Sequence, residues 1–121
     1  EAVGHFVAPA LATDVGHDHR LVQQEQFSPL LPIIRYRTID EAVRWANDSP
    51  FGLSASVWTS NPNIGYEIAA QMECGRVGIN GHQRADAPAP FGGFKHSGVG
   101  RELGVWGLLE MSQSQVVNFF N

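Results

Sequence analysis

The segment Pro90–Gly107, P-F-G-G-F-K-H-S-G-V-G-R-E-L-G-V-W-G, constrains this chain more than any other stretch, because six of its eighteen residues are glycine while Phe91 and Phe94 stay aromatic. Glycine is used where φ must be positive or where another group must come close to the backbone. Six of them around Lys95, Arg101 and Glu102 therefore indicate a shaped loop rather than a flexible linker. Two phosphate-binding shapes are excluded. A Walker loop needs a Gly-Lys-Ser or Gly-Lys-Thr, and the chain has neither. A dinucleotide fingerprint needs G-x-G-x-x-G, and after Gly98-Val99-Gly100 the next glycine, Gly104, comes one position late.

With 121 residues, 43% hydrophobic and 17% charged, the chain is long enough for one core that buries roughly two-thirds of the unfolded surface. The net charge of -4 comes without a basic cluster, which argues against a nucleic-acid partner. No apolar run approaches the ~18 residues needed to span a bilayer, and the first residues lack a basic flank followed by an apolar stretch. The expectation is a soluble protein without a membrane partner. A lone cysteine, Cys74, rules out an intramolecular disulfide and a multi-cysteine metal site, and fits the reducing cytoplasm. His17-Asp18-His19, with His5 nearby, has ligand chemistry, but alternation on an exposed turn explains it as well, so no metal site is expected. The first residue, Glu1, raises the expectation of a processed chain or a fragment.

Short apolar runs alternate with helical patterns, the rhythm of an α/β protein. Leu30–Tyr36 reads as a strand with Pro32 at its start or on a free side. Thr38-Ile39-Asp40-Glu41 supplies a capping box for a helix whose apolar face is Ile39, Ala42, Val43 and Ala46, and Asn47-Asp48-Ser49-Pro50 ends it. Ser54–Thr59 is the next strand. Asn61 then caps, and Pro62 opens, a helix with Ile64, Ile68 and Met72 on one stripe and Gly75 as its left-handed stop. Arg76–Asn80 is a strand, Leu103–Met111 a short helix, and Gln115–Phe120 a tail strand whose free edge calls for a partner.

Four segments, in order, resemble the NAD(P)-dependent aldehyde dehydrogenase superfamily. Glu25-Gln26-Phe27-Ser28-Pro29 resembles its E-x-F-G-P, and Ile39-Asp40-Glu41-Ala42 through Ala46-Asn47 its I-D-E-A…A-N. Phe51-Gly52-Leu53 through Ser56-Val57-Trp58-Thr59 resembles Y-G-L-x-x-S-V-W-T, and Pro90-Phe91-Gly92-Gly93 through Gly100-Arg101-Glu102 resembles P-F-G-G-x-K-x-S-G-x-G-R-E. The likeness covers essentially the whole chain and is weaker before Val15. It implies the C-terminal portion of such an enzyme: residues 1–111 as part of a three-layer αβα catalytic domain, and 112–121 as an oligomerisation tail strand. NAD or NADP as cofactor, an aldehyde as substrate and a homodimer or homotetramer follow from the resemblance alone.

The resemblance also implies what is missing. In the family a cysteine attacks the aldehyde, an asparagine and a backbone amide hold the oxyanion, and a glutamate activates water. These groups lie upstream of the matched segments, and Cys74 does not match the nucleophile motif, so no residue here is expected to be catalytic and the chain alone is expected to be inactive. The family likeness assigns Glu25 to the nicotinamide-ribose hydroxyls, a task suited to an acceptor-only carboxylate, and Phe27 to the nicotinamide end, with core packing as its plain alternative. Ser28 replaces the usual glycine, with strain expected if φ is positive there. The loop from Asn80 to Phe91 matches the aldehyde entrance. Phe91 is its pocket residue, Ala85 leaves room where some relatives carry an aromatic, and Arg84 and His82 either meet a polar substrate end or point to solvent. The alternative function is a stand-alone, non-catalytic interaction module working through its free strand.

Overall fold

The structure, a computed structural model, describes residues 4–82 and 86–120. The element order is β1 (Ala10–Ala12), α1 (Arg20–Gln23), β2 (Leu30–Pro32), α2 (Ile39–Asn47), β3 (Phe51–Gly52), β4 (Ser54–Val57), α3 (Pro62–Ala69), β5 (Arg76–Ile79), β6 (Phe94–Lys95) and α4 (Gly104–Glu110). The α/β class is as expected. Among the described residues the strands form three two-stranded sheets, β1 with β2, β3 with β6, and β4 with β5. The chain divides into two units, Glu1–Trp45 and Ala46–Asn121.

In the first unit, β1 and β2 run parallel with Ala10 opposite Leu30 and Ala12 opposite Pro32. The strand expected to continue to Tyr36 stops at Pro32, which has no N–H to carry the ladder onward. One more bond, from the Ile33 amide to the Ala12 carbonyl at 2.8 Å, closes the pair. The capping box forms with one shift: the Thr38 hydroxyl accepts from the Glu41 amide at 3.2 Å, while the Glu41 carboxylate reaches the Arg37 amide at 2.7 Å. Of the apolar face of α2 only Val43 is buried, at 8% exposure; Ile39 and Ala46 remain exposed.

In the second unit, β4, α3 and β5 make a parallel βαβ crossover with Ser54 opposite Arg76 and Val57 opposite Ile79. Asn61 caps α3 by accepting from the Asn63 and Ile64 amides at 3.0 and 3.4 Å, with Pro62 in the first turn. Gly65 is buried where α3 meets the sheet; a Cβ there would stand 3.0 Å from Ile79 and 3.2 Å from Thr59 side-chain carbons. Asn80, at φ 52°, locks the end of the crossover, donating to the Thr59 carbonyl and accepting from the Thr59 amide, each at 2.8 Å. Helix α4 starts after Leu103 at φ 60° and ends one residue short of Met111. Among the described residues, 112–120 join no strand and find no ladder partner, and Val116, Val117, Phe119 and Phe120 are each more than four-fifths exposed.

The expected two-thirds burial is not reached. The accessible surface is 10104 Å², against about 6400 Å² for a compact 13.2 kDa monomer. Val43 is the one buried hydrophobic side chain among the described residues. The local signals of helix, turn and strand are satisfied while the apolar faces they generate stay uncovered.

Gly75 corrects the expected helix stop. Its φ is not positive. Helix α3 instead tightens into short-range turns, from the Gln71 amide to the Ile68 carbonyl and the Met72 amide to the Ala69 carbonyl, and the Gln71 side chain covers the Glu67 carbonyl at 2.9 Å. Met72 thus falls outside the helical stripe. Gly75 is glycine because its α-carbon lies against Gly92: a Cβ would overlap the Gly92 carbonyl oxygen and stand 2.7 Å from its carbonyl carbon. Neighbouring Cys74 donates to the Arg76 carbonyl at 3.2 Å. Burial pushes its thiol pKa up, more than hydrogen bonding at Arg76 and the positive Lys95 bring it down.

Two outcomes are expected. Gly75→Ala should destabilise the protein by about 2 kcal/mol or more, since backbone cannot move aside as a side-chain tip can and the clash outweighs the roughly 0.4–1 kcal/mol gained from a stiffer unfolded chain. Equal denaturation midpoints for the two proteins would contradict this packing. Iodoacetamide should label Cys74 more slowly than a free cysteine at pH 7.5, because a raised pKa leaves less thiolate. The gap should narrow once the pH exceeds both pKa values, as followed by peptide mass spectrometry.

Candidate functional site

The glycine-rich segment closes on itself through Phe91 and Glu102, whose amides each donate to the other's carbonyl at 2.7 Å. Within that closure lies the Arg101 side chain. Its Nη1 donates to the Gly93 carbonyl at 3.0 Å and the Gly100 carbonyl at 2.7 Å, and the guanidinium carbon sits 5.7 Å from the centre of the Phe94 ring. A Cβ on Gly92 would meet the Gly100 oxygen at 2.7 Å and Arg101 Cδ at 2.8 Å. The loop is therefore shaped around its own arginine. A neighbouring cleft of about 290 Å³ is lined by Phe91, Gly92, Val99, Arg101, Glu102 and Glu110, among others.

Phe91 lies on this cleft, half-buried, with the guanidinium of Arg76 from β5 6.0 Å from its ring centre. The far side of the segment is held by a polar hub. Lys95, at φ 54°, bonds the Glu73 carboxylate at 2.7 Å and the Asn47 carbonyl, while the Asn47 side chain accepts from the Glu73 amide at 2.9 Å and donates to the Gln71 carbonyl at 2.8 Å. The Ser97 hydroxyl accepts from the Gly52 amide at 3.0 Å, tying the segment to β3. His82 packs edge-to-face on Trp58, with ring centres 5.8 Å apart. Arg84 and Ala85 lie outside the described residues.

In the first unit, Glu25 and Phe27 lie on the loop between α1 and β2 and both are exposed, Phe27 at 95%. Phe27 is not a core residue of this chain. Gln26 between them faces inward: its side-chain oxygen accepts from the Ser28 amide at 2.8 Å and from the Ser28 hydroxyl, and its nitrogen donates to the Leu30 carbonyl at 2.6 Å. This brace ties the loop to β2 while Glu25 and Phe27 on either side stay exposed. Ser28 does not carry the expected strain, because its φ is not positive; its short side chain bonds Gln26 instead.

The histidines have local work. His17 stacks on Trp45 at 5.5 Å and an interplanar angle of 8°, and His19 Nδ1 accepts from the Leu21 amide at 3.1 Å to cap α1. Sequence reasoning missed Gln26, Asn80 and the inward turn of Arg101. Asn80 followed by Gly81 after a strand was a readable turn signal; nothing in sequence marks Gln26 or tells Arg101 from a solvated cation.

Comparisons with known proteins bear on the family and the fold. The model of the aldehyde dehydrogenase family matches residues 1–117. Geranial dehydrogenase of Castellaniella defragrans is 50% identical over 101 residues, 84% of this chain and 21% of its own length. Human retinal dehydrogenase 2 is 41% identical over 114 residues, 94% of this chain and 22% of its own length. An aldehyde dehydrogenase of Mycobacterium tuberculosis solved with NAD+ superposes with a TM-score of 0.86 at 42% identity, over 91% of this chain and 23% of that one. Betaine aldehyde dehydrogenase of Staphylococcus aureus, also with NAD+, gives 0.81 at 35% identity over 92% of this chain and 24% of that one. The chain thus spans between a fifth and a quarter of the length of these relatives. With the family model matched over nearly its entire length, the chain belongs to the aldehyde dehydrogenase family.

Proposed function

We propose that this chain works as the C-terminal portion of an enzyme that oxidises an aldehyde to a carboxylic acid with NAD or NADP. In this reading, residues 1–111 complete a three-layer αβα catalytic domain and 112–121 add a strand to a neighbouring subunit of a cytoplasmic homodimer or homotetramer. The observation that carries it is the pairing of a family match over residues 1–117 with helix and strand faces that this chain leaves uncovered. A module that acted alone would need those faces buried. The remaining three-quarters of an enzyme of the relatives' size supplies the surface to cover them.

Within that enzyme the chain's residues form walls. The exposed Glu25 carboxylate, acceptor-only and presented by the Gln26 brace, fits the paired hydroxyls of a nicotinamide ribose, and the exposed Phe27 ring fits the flat face beside it. The dinucleotide, when bound, takes up hydride from the substrate. Phe91 lines the aldehyde entrance, with Ala85 leaving room beside it and Arg84 offered to a carboxylated substrate end. His82 contributes through Trp58 rather than as a substrate contact. The nucleophile and general base come from elsewhere in the enzyme: Cys74 does not match the family's nucleophile motif, and burial pushes its thiol pKa up, away from the reactive thiolate.

Three measurements test this reading. In the complete enzyme, Glu25→Gln should raise KM for the dinucleotide about tenfold, the scale of one charge-assisted hydrogen bond. An unchanged KM would remove Glu25 from the cofactor site. Arg84→Ala should lower kcat/KM for a carboxylated aldehyde more than for a neutral one, and an unchanged ratio would end the anion-recognition role. The 121-residue chain alone should form no reduced dinucleotide from any aldehyde.

A further inference from the structure

Arg101 belongs to a motif whose purpose the wall assignments leave unexplained. Its guanidinium is half-buried in the fold of the glycine-rich segment. One nitrogen, Nη1, joins carbonyls on both strands of the loop, Gly93 two residues after Phe91 and Gly100. The residue after Arg101 is Glu102, whose backbone clasps that of Phe91 from both sides at 2.7 Å. Gly92, directly after Phe91, has space for the Arg101 side chain only because it lacks a Cβ. Arg101 and its neighbour thus restrain the backbone around Phe91 on the loop side, while Gly75 packs on Gly92 and Arg76 lies over the Phe91 ring. Phe94 stacks over the same guanidinium at 5.7 Å and anchors it to β6.

We propose that Arg101 is a positioning residue for substrate selectivity: by tying the Gly93 and Gly100 carbonyls together it fixes the backbone that aims Phe91 into the cleft. Its effect on the ring runs through this backbone. The inference rests on Phe91 being an entrance residue, as argued above. Without the Nη1 bridge, the Phe91 backbone keeps its Glu102 pairing and the Gly75 contact beside it but loses the tie between Gly93 and Gly100, and the wall the ring forms against a long or bulky aldehyde loosens. Discrimination between large and small substrates then falls while turnover of a small one is kept.

The test uses the complete enzyme with propanal and octanal, and the variants Phe91→Ala, Arg101→Met and Arg101→Lys. Phe91→Ala should change the octanal-to-propanal ratio of kcat/KM by about tenfold, the scale of one apolar wall contact. Arg101→Met should move that ratio in the same direction, mainly through KM for octanal, with kcat for propanal within about twofold of the parent. Arg101→Lys should restore most of the parent ratio, because one ammonium can donate to both carbonyls as Nη1 does. If Phe91→Ala shifts the ratio and Arg101→Met, folded by its melting transition, does not, the positioning role is overturned while the entrance assignment stands. An unchanged ratio in Phe91→Ala removes the entrance assignment and this inference with it. Should Arg101→Met not fold, Arg101→Lys and Arg101→Gln carry the test, and a parent-like ratio in the glutamine variant, which keeps one donor group but no charge and a shorter reach, overturns the proposal.

Discussion

The contact of Gly92 with both Gly75 and Arg101 is the constraint on which the second unit depends. On one side the Gly92 carbonyl lies where any Gly75 side chain would be, and on the other the Arg101 stem lies where a Gly92 side chain would be. Three backbones meet there: the start of β5, the loop after Phe91, and the return through Gly100. Close packing of this kind has no slack, because main-chain atoms cannot adopt another rotamer. It fixes the distance between the crossover sheet and the glycine-rich segment, and so fixes where Phe91 stands.

Much of this was legible. Asn61-Pro62 and Thr38 through Glu41 named their helix starts because capping is a local matter of one side chain and nearby amides. Four segments in order, the P-F-G-G…G-R-E run among them, carry the family likeness in the sequence itself. What sequence could not supply was the reason for each glycine. Gly75 follows a helix, which is the signature of a left-handed stop, yet its need is for space against Gly92 across the fold. Distant packing leaves no mark in the neighbouring residues. The same holds for Arg101, which composition counts as a surface cation and the structure turns inward.

The tail and the apolar faces depend on something other than local signals. Gln115–Phe120 has strand propensity, but a strand is a property of a pair, and β-propensity without a partner edge produces no ladder. Likewise Ile39 and Ala46 lie on the correct stripe of α2, while Val43 alone is covered. The residues specify local structure and the direction of each apolar face. Most of those faces stay uncovered among the described residues, and beside the bonded Gln26 side chain Glu25 and Phe27 are likewise exposed.

Differential scanning calorimetry of the isolated 121-residue chain tests this account most directly. A self-sufficient domain of this length should unfold in one cooperative transition with an enthalpy of about 85 kcal/mol near 60 °C. With its apolar faces uncovered, the chain should show no cooperative heat-absorption peak, or one far smaller. A full-sized two-state transition from a monomer would contradict the account, because it would mean these 121 residues complete their own core.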